Sequence, residues 1–562
     1  MPVSNNPISS VCNGISESQI RVFFWLLALG VAGIDAYTTR FFINSDAIAY
    51  IEIGEAMKRF CWHDVVNFTF SPLYSFLIAV FQSVVRISPL NEIIWIKLLN
   101  LMVFILTLGA FELLLRFLRY EYTAIINTHQ NPIPWPSIVA MLYSILLVTT
   151  LVSIRVRLIN PDMLVFCLIL ICYVVIMWIR KDCGPFYKYV ILGIMVGIGY
   201  LAKAYLFIFS PIFLAMAGIL AGSFKKAVPR IAVASIFLAV TVSPLLVALS
   251  IKKGEFTYGE GGRHVYTIVI GGQGHPLNPG KVLDTRSKVS IYDYGNACTR
   301  PKSFDVCYWT IGIHPRYDNI AHAKMFIHNL VATVSQSRWL FAIIGWAIFQ
   351  VCLGSYTIGT FHPASVPILF VAPAICGVTL FALISTEPRY VAPFLFVGSV
   401  GLIFGISYGE NRRFLGKWGL SDFGVLVLVL FLVGSVINSS IDQATMGLRS
   451  QNGKLSYQQN YKDQILVRNY LLKIGIKSGE HVAIVGRAPI EWARMAGLRI
   501  TGEIEDSSIF FSINQGGRFN CLTLLKNEGI RAVIAQGKQL TCFINEGWAL
   551  IPGTEGYFVK LL

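Results

Sequence analysis

Charge is what this chain of 562 residues has least of: Asp, Glu, Lys and Arg make up 14% of it, against ~25% in ordinary soluble domains. Hydrophobic residues make up 55%, and the mean hydropathy is +0.62. A wholly soluble chain is therefore excluded, because the deficit comes from long uncharged runs. Other signals are also missing. The eleven cysteines are scattered without CxxC spacing, which argues against structural zinc. His264, His275, His314, His322 and His328 show neither HxxxH nor HExxH spacing, so no metal site is assigned, although a divalent metal is left open. There is no Walker-type loop and no GxGxxG, and hence no sign of a cytosolic nucleotide-sugar site. No repeat of 20–50 residues and no low-complexity tract is seen. Residues 1–19 carry no basic residue and no small-residue cleavage site, so the first apolar run is expected to be an uncleaved span.

What is present is a series of twelve apolar runs: 22–37, 72–87, 93–118, 135–154, 163–179, 189–202, 204–221, 231–251, 339–353, 365–384, 390–406 and 423–437. A run of about 20 apolar residues matches the ~30 Å hydrocarbon core. The net charge of +16 would suit nucleic acid, but cytoplasmic loops of membrane proteins collect Lys and Arg, and nucleic acid is not expected as a partner. If all twelve runs cross, Arg180, Lys181, Lys225, Lys226 and Arg230 fall outside, against that rule. In run 72–87 the polar residues Ser75, Gln82, Ser83 and Arg86 share one helical stripe, the pattern of a helix lying in the interface. Eleven spans then remain. Arg116, Arg119, Arg180, Lys181, Lys188, Lys225, Lys226, Arg230, Arg412, Arg413 and Lys417 fall inside, and 38–91, 252–338 and everything after 438 fall outside. The outer cysteines Cys298 and Cys307, and likewise Cys521 and Cys542, are disulfide candidates or free thiols.

From residue 461 the pattern changes to short buried strands alternating with helices: strands at 481–485, 498–504 and 531–535, helices at 462–474, 490–495 and 521–527, and a β-rich end at 548–559. This predicts a small α/β domain. The expected organisation is thus a transmembrane domain over 1–440 and a soluble domain over 441–562. The segment after 482–486 has the place of a nucleotide loop, but an ordinary strand-to-helix turn is the simpler reading.

Polar residues gather at the outer ends of the spans. Lys203 interrupts two apolar runs, which costs ~2.5–3.5 kcal/mol at mid-membrane and much less at an outer turn. Arg155, Arg157 and Arg389 lie at the same level, and several cations there suit a phosphate or diphosphate; the alternative is that each reaches lipid headgroups. Asp46 is the candidate general base for an acceptor hydroxyl or amine, with a helix cap as the alternative. Asp35 is second in line, or pairs with Arg40. Tyr50, Glu52, Asp162 and Tyr390 are candidate supporting or acceptor-binding residues. Tyr258, Tyr266, Tyr292, Tyr308 and Trp309 are placed to stack on sugar rings or to pack the loop.

Taken in order, these motifs resemble the GT-C glycosyltransferases, in particular the group containing protein O-mannosyltransferases and lipid A aminoarabinose transferases. An acidic residue and a tyrosine follow the first span (Asp46, Tyr50), and an aromatic segment with Pro-Leu opens an interfacial helix (Phe70-Ser71-Pro72-Leu73-Tyr74). Asn160-Pro161-Asp162-Met163 opens a later span, a glycine-rich span ends in Leu201-Ala202-Lys203, and Arg389-Tyr390 begins a late one. The resemblance covers roughly residues 20–410. It implies an α-helical polytopic membrane protein that takes a sugar from a polyprenyl-phosphate-linked donor at the outer face and transfers it with inversion to a glycan, lipid or protein acceptor. Asp46 would activate the acceptor and the basic residues would hold the leaving phosphate. The soluble tail resembles periplasmic domains of bacterial members and implies an inner-membrane location. The chain departs from the pattern at Asp46-Ala47, where many relatives have Asp-Glu. It also departs at Phe70-Ser71-Pro72 and Lys203-Ala204, where the aminoarabinose transferases have Glu-Lys-Pro and Lys-Gly. Donor and acceptor are left open. A lipid-linked oligosaccharide flippase or transporter is the rival reading, though transporters tend to place their polar residues at mid-membrane.

Overall fold

Apolar helices dominate the structure, a computed structural model. It describes residues 16–44, 46–126, 133–272, 281–285, 288–291, 299, 313, 316–353, 362–406, 413–415, 418–449, 456–486, 489–537 and 543–562. Among the described residues, six helices are long and apolar enough to cross a membrane: Glu17–Thr38, Glu92–Thr123, Trp135–Ile154, Asp162–Lys181, Phe224–Lys253 and Leu420–Leu448. Shorter apolar helices are Pro72–Val85, Phe186–Ala202, Tyr205–Leu220, Arg338–Cys352, Val366–Ala382 and Pro388–Phe404. A helix of 17 residues is about 26 Å long, at the lower limit for a span. The chain is an integral membrane protein, mostly helical, with one small sheet domain.

The chain divides into two compact units. The first comprises Met1–Thr38, Asn100–Ile251 and Asp318–Ala444. Its helices pack closely where side chains are smallest. A Cβ at Gly193 would strike the Ala234 carbonyl, and one at Gly197 would sit 2.6 Å from Thr241 Cβ, so the glycine-rich helix Phe186–Ala202 can lie directly on Phe224–Lys253. The helix Trp135–Leu147 continues as a π-helical turn, Val148–Ile154, closed by the Arg155 N–H donating to the Thr150 carbonyl at 2.8 Å.

The second unit comprises Thr39–Leu99, Lys252–Tyr317 and Thr445–Leu562; it overlaps the expected outer segments 38–91, 252–338 and everything after 438, but 318–338 belong to the first unit. Among the described residues the short strands are β1 (Lys281–Asp284), β2 (Val289–Ile291), β3 (Arg413–Leu415), β4 (Trp418–Gly419), β5 (His481–Val485), β6 (Arg499–Ile504), β7 (Ala532–Gln536), β8 (Ala549–Leu550) and β9 (Tyr557–Leu561). β3 and β4 pair separately, in the first unit; the other seven form one sheet in the order β1-β2-β6-β5-β7-β9-β8. β6, β5 and β7 are parallel, the arrangement expected of strands linked by helices, and antiparallel strands flank them on both edges. Alternation along β5 sends Val482 and Ile484 to one face, with Val467, Leu471 and Trp492, and Ala483 and Val485 to the other, with Leu525, Val533 and Phe558. The contribution of β1 and β2 was not foreseen: part of the loop between two membrane helices completes the tail's sheet.

The helix Pro72–Val85 has 14 residues, about 21 Å, too short to cross a membrane, and belongs to the second unit. Its expected polar stripe does not simply face water. Ser75 and Gln82 are buried, Ser83 and Arg86 are exposed, and the outward face also carries Phe76, Val80 and Val84. The reason is chemical: the Gln82 amide donates to Glu92 at 2.6 Å and its oxygen accepts from Lys58 at 3.4 Å. Ser75 lies where the neighbouring helix Ala47–Lys58 comes close, a Cβ at Gly54 meeting the Ser75 carbonyl at 2.9 Å.

Candidate functional site

Three helix ends of the first unit meet at one carboxylate. Asp162 opens the helix Asp162–Lys181, and its backbone N–H donates to Asn160 Oδ1 at 3.1 Å. Lys203 ends the helix Phe186–Ala202, where its extended backbone separates two apolar helices and its N–H caps the Gly199 carbonyl at 2.9 Å. Arg389 and Tyr390 lie in the first turn of Pro388–Phe404. Lys203 Nζ pairs with Asp162 Oδ1, and Arg389 Nε lies 3.5 Å from Oδ2. The Tyr390 ring lies under Lys203, 3.7 Å from Nζ to the centroid, and its hydroxyl accepts from Arg389 at 3.1 Å. The Asp162 side chain is 4% exposed, but those of Lys203 and Arg389 are 23% and 20% exposed. One buried carboxylate thus orients two cations whose ends stay partly open, and the group carries net positive charge. Such a pair is suited to an anion with several oxygens. Of the residues singled out in sequence, these four come together.

Arg155 and Arg157 are in the same unit, on the segment between the π-helical turn and Asp162. Arg155 has φ +70° and ψ 117°, an unusual backbone for a non-glycine residue, and its Nε donates to the Val152 carbonyl at 2.9 Å. Arg157 is buried, at 7% exposure. Asn100 pins the segment, donating to the Leu158 and Val156 carbonyls at 2.8 and 3.0 Å. Sequence reasoning missed Asn100, since a lone asparagine in a long apolar helix gives no hint of what it holds. π-helical turns and strained residues concentrate at functional sites.

Asp46, Tyr50 and Glu52 belong to the second unit. Asp46 directly precedes the helix Ala47–Lys58, with φ −79° and ψ −17°, and its side chain does not cap it, so the alternative reading as a cap finds no support. Tyr50 is buried edge-on against Phe70 and Tyr74, with centroids at 5.0 and 5.4 Å, tying that helix to the aromatic segment around Pro72. Glu52 is buried and accepts from Thr299, through its backbone N–H at 2.7 Å and its hydroxyl. Arg494, in the tail, was also missed. Its Nη1 donates to Glu55 at 2.9 Å, and its Nε and Nη2 to Glu92 at 2.6 and 2.8 Å. Burial opposes its charge, but Glu92, then Glu55 and Glu52, outweigh burial and hold the proton more firmly than usual. Partners some 400 positions apart leave no local signal.

Among the described residues no group of three His, Cys, Asp or Glu is placed to hold a metal ion. Asp35 is buried in the helix Glu17–Thr38. The candidate disulfide partners Cys298, Cys307 and Cys542, the loop residues His275, His314, Tyr292, Tyr308 and Trp309, and the basic residues Arg412 and Lys417 lie outside the described residues. Cys521 is buried in the tail.

In fold the chain is similar to solved membrane glycosyltransferases. The lipid A aminoarabinose transferase ArnT from Cupriavidus metallidurans, in a crystal structure bound to undecaprenyl phosphate, matches with a TM-score of 0.56 at 12% identity, over 96% of this chain and 97% of that one. Its apo structure matches with a TM-score of 0.51 at 11% identity over the same shares. The oligosaccharyltransferase AglB from Archaeoglobus fulgidus matches with a TM-score of 0.44 at 10% identity, over 95% of this chain and 71% of that one. No family model matches the chain, and no curated protein matches it in sequence.

Proposed function

We propose that this protein is an inverting glycosyltransferase that moves a sugar from a polyprenyl-phosphate-linked donor to a glycan, lipid or protein acceptor of the cell envelope. The observation that carries the reading is the pair Lys203 and Arg389, turned by Asp162 into a partly open cationic site at three helix ends of a GT-C fold. ArnT, of the same fold, has been crystallised with undecaprenyl phosphate, and a phosphate of that kind is the ligand such a pair would take. In the reaction, an acceptor hydroxyl or amine attacks the anomeric carbon as the bond from that carbon to the phosphate oxygen breaks. The electron pair leaves with the polyprenyl phosphate, whose charge Lys203 and Arg389 would balance, with Arg155 and Arg157 adding positive charge nearby. The acceptor's proton passes to a carboxylate. We assign that role to Asp46, on its position after the first span in the resemblance. Tyr390 would orient both cations, and Tyr50 would position the helix that follows Asp46. We place the protein in a bacterial inner membrane, with the second unit on the periplasmic side, in line with the distribution of Lys and Arg.

The test is reconstitution of the purified protein with polyprenyl-phosphate sugars, reading release of polyprenyl phosphate coupled to a glycosylated acceptor. Asp46→Asn should lower transfer by about 10²–10⁴-fold with folded protein retained. A wild-type rate in that variant would remove Asp46 from the mechanism. Envelope glycans unchanged in a deletion strain, with lipid-linked oligosaccharide accumulating on the inner side, would instead favour a flippase.

A further inference from the structure

The second unit holds a polar cavity of about 440 Å³. Its floor is the ion pair set Arg494, Glu55 and Glu92, in which Arg494 engages both carboxylates. One wall is nearly free of side chains: Ser478, Gly479, Ala496 and Gly497 line it. Gly497 has φ +68°, and a Cβ there would strike Ser478 Oγ, so the wall stays flat. The rim carries Lys58, Arg59 and Arg499. Four cationic and two acidic side chains thus line the cavity, and both acids are already bound to arginine. Glu55 also takes Arg59, whose side chain is 55% exposed, and Lys58 donates to the neutral amide oxygen of Gln82 at 3.4 Å. Carboxylates held by arginine are poor ligands for a metal ion. The remaining charged groups that line it, Lys58, Arg59 and Arg499, are positive, beside a wall of small residues.

We propose that this cavity binds a phosphate ester of a polyol or saccharide, the phosphate on Lys58 and Arg59 and the ring against Gly479 and Gly497. It lies at the far end of the helix Ala47–Lys58 from Asp46, 12 residues or about 18 Å along the axis, so it is not the place where Asp46 would act. On the proposed function, and only on it, the cavity docks a phosphorylated acceptor at a distance from the reacting group; the binding itself does not depend on that function. The phosphate ester can come from a glycan or from a phospholipid headgroup.

The full-length protein in neutral detergent is titrated with glucose 6-phosphate and with glucose by calorimetry, in a Lys203→Ala background that removes a cation of the other anion site. Saturable binding of glucose 6-phosphate, none of glucose, and affinity lowered about tenfold or more by Lys58→Ala with Arg59→Ala is the expected result. Both side chains are exposed, so the fold should tolerate their loss, and unchanged melting temperature checks this. No binding, or binding indifferent to the double substitution, overturns the proposal. Repeating the titration in phosphatidylcholine discs with and without phosphatidylglycerol separates the sources. Competition by the anionic discs, lost in the double variant, assigns the cavity to a lipid headgroup, and its absence assigns it to a glycan. Because binding is read without turnover, a failed cavity and a failed glycosyl transfer are told apart.

Discussion

At the scale of single residues, the unusual feature is one carboxylate serving two cations. Asp162 is 4% exposed and has Lys203 on one oxygen and Arg389 on the other. Without it, two positive groups would face each other beside the half-buried Tyr390 ring, their shared counter-charge gone. Asp162→Ala is therefore expected to destabilise the protein by about 3 kcal/mol, the scale for breaking a buried pair. Adding Lys203→Ala should restore part of that loss, since it removes one of the two like charges that face each other. Melting of the single and double variants in detergent measures the coupling, and simple additivity of the two substitutions would mean that the pair is not a unit. The residue types were legible in the sequence because a charge at the edge of an apolar run is expensive enough to stand out. The partnership was not: Asp162, Lys203 and Arg389 are far apart along the chain, and nothing local says which carboxylate meets which cation. Asn100 and Arg494 were missed for the same reason, their partners lying dozens to hundreds of positions away.

At the scale of elements, the tail's central strands and helices were readable because alternating burial and helical spacing are local. β1 and β2 were not, being short and separated from β6 by about two hundred residues. One element carries a misplaced charge. Glu491 begins the helix Glu491–Ala496 and is buried, and among the described residues its Oε2 has no hydrogen-bond partner. Burial raises its pKa, and the backbone N–H groups at the helix start offset only part of this. The folded chain then keeps the proton at a pH where the unfolded chain has lost it. Stability is undiminished below the unfolded value of 4.5 and falls as pH rises above it, until the folded group also ionises. Glu491→Gln should remove this loss: its melting temperature should exceed that of the wild type near neutral pH and converge with it in acid. Parallel melting curves for the two proteins across that range would show that Glu491 is not the desolvated group its surroundings indicate.

At the scale of the whole molecule, the composition of the second unit constrains the membrane topology. It is assembled from Thr39–Leu99, Lys252–Tyr317 and Thr445–Leu562. If this unit lies outside the bilayer, as proposed above, it lies on one face, and the chain must then cross an even number of times whenever it leaves and returns. Between the first and second pieces lie the apolar runs 93–118, 135–154, 163–179, 189–202, 204–221 and 231–251, and between the second and third lie 339–353, 365–384, 390–406 and 423–437. Both counts are even. A crossing by Pro72–Val85 would put two parts of the same unit on opposite faces, and this is independent of the distribution of Lys and Arg that first argued against such a crossing. Single cysteines at exposed positions in a cysteine-depleted protein test it: Arg86→Cys and Lys477→Cys in the second unit, Lys225→Cys in the first turn of the helix Phe224–Lys253. In oriented vesicles a membrane-impermeant maleimide should reach the first two from one face and the third only from the other. Labelling of Arg86→Cys and Lys225→Cys from the same face would overturn the even count, and with it the placement of Asp46 on the same side of the membrane as the tail.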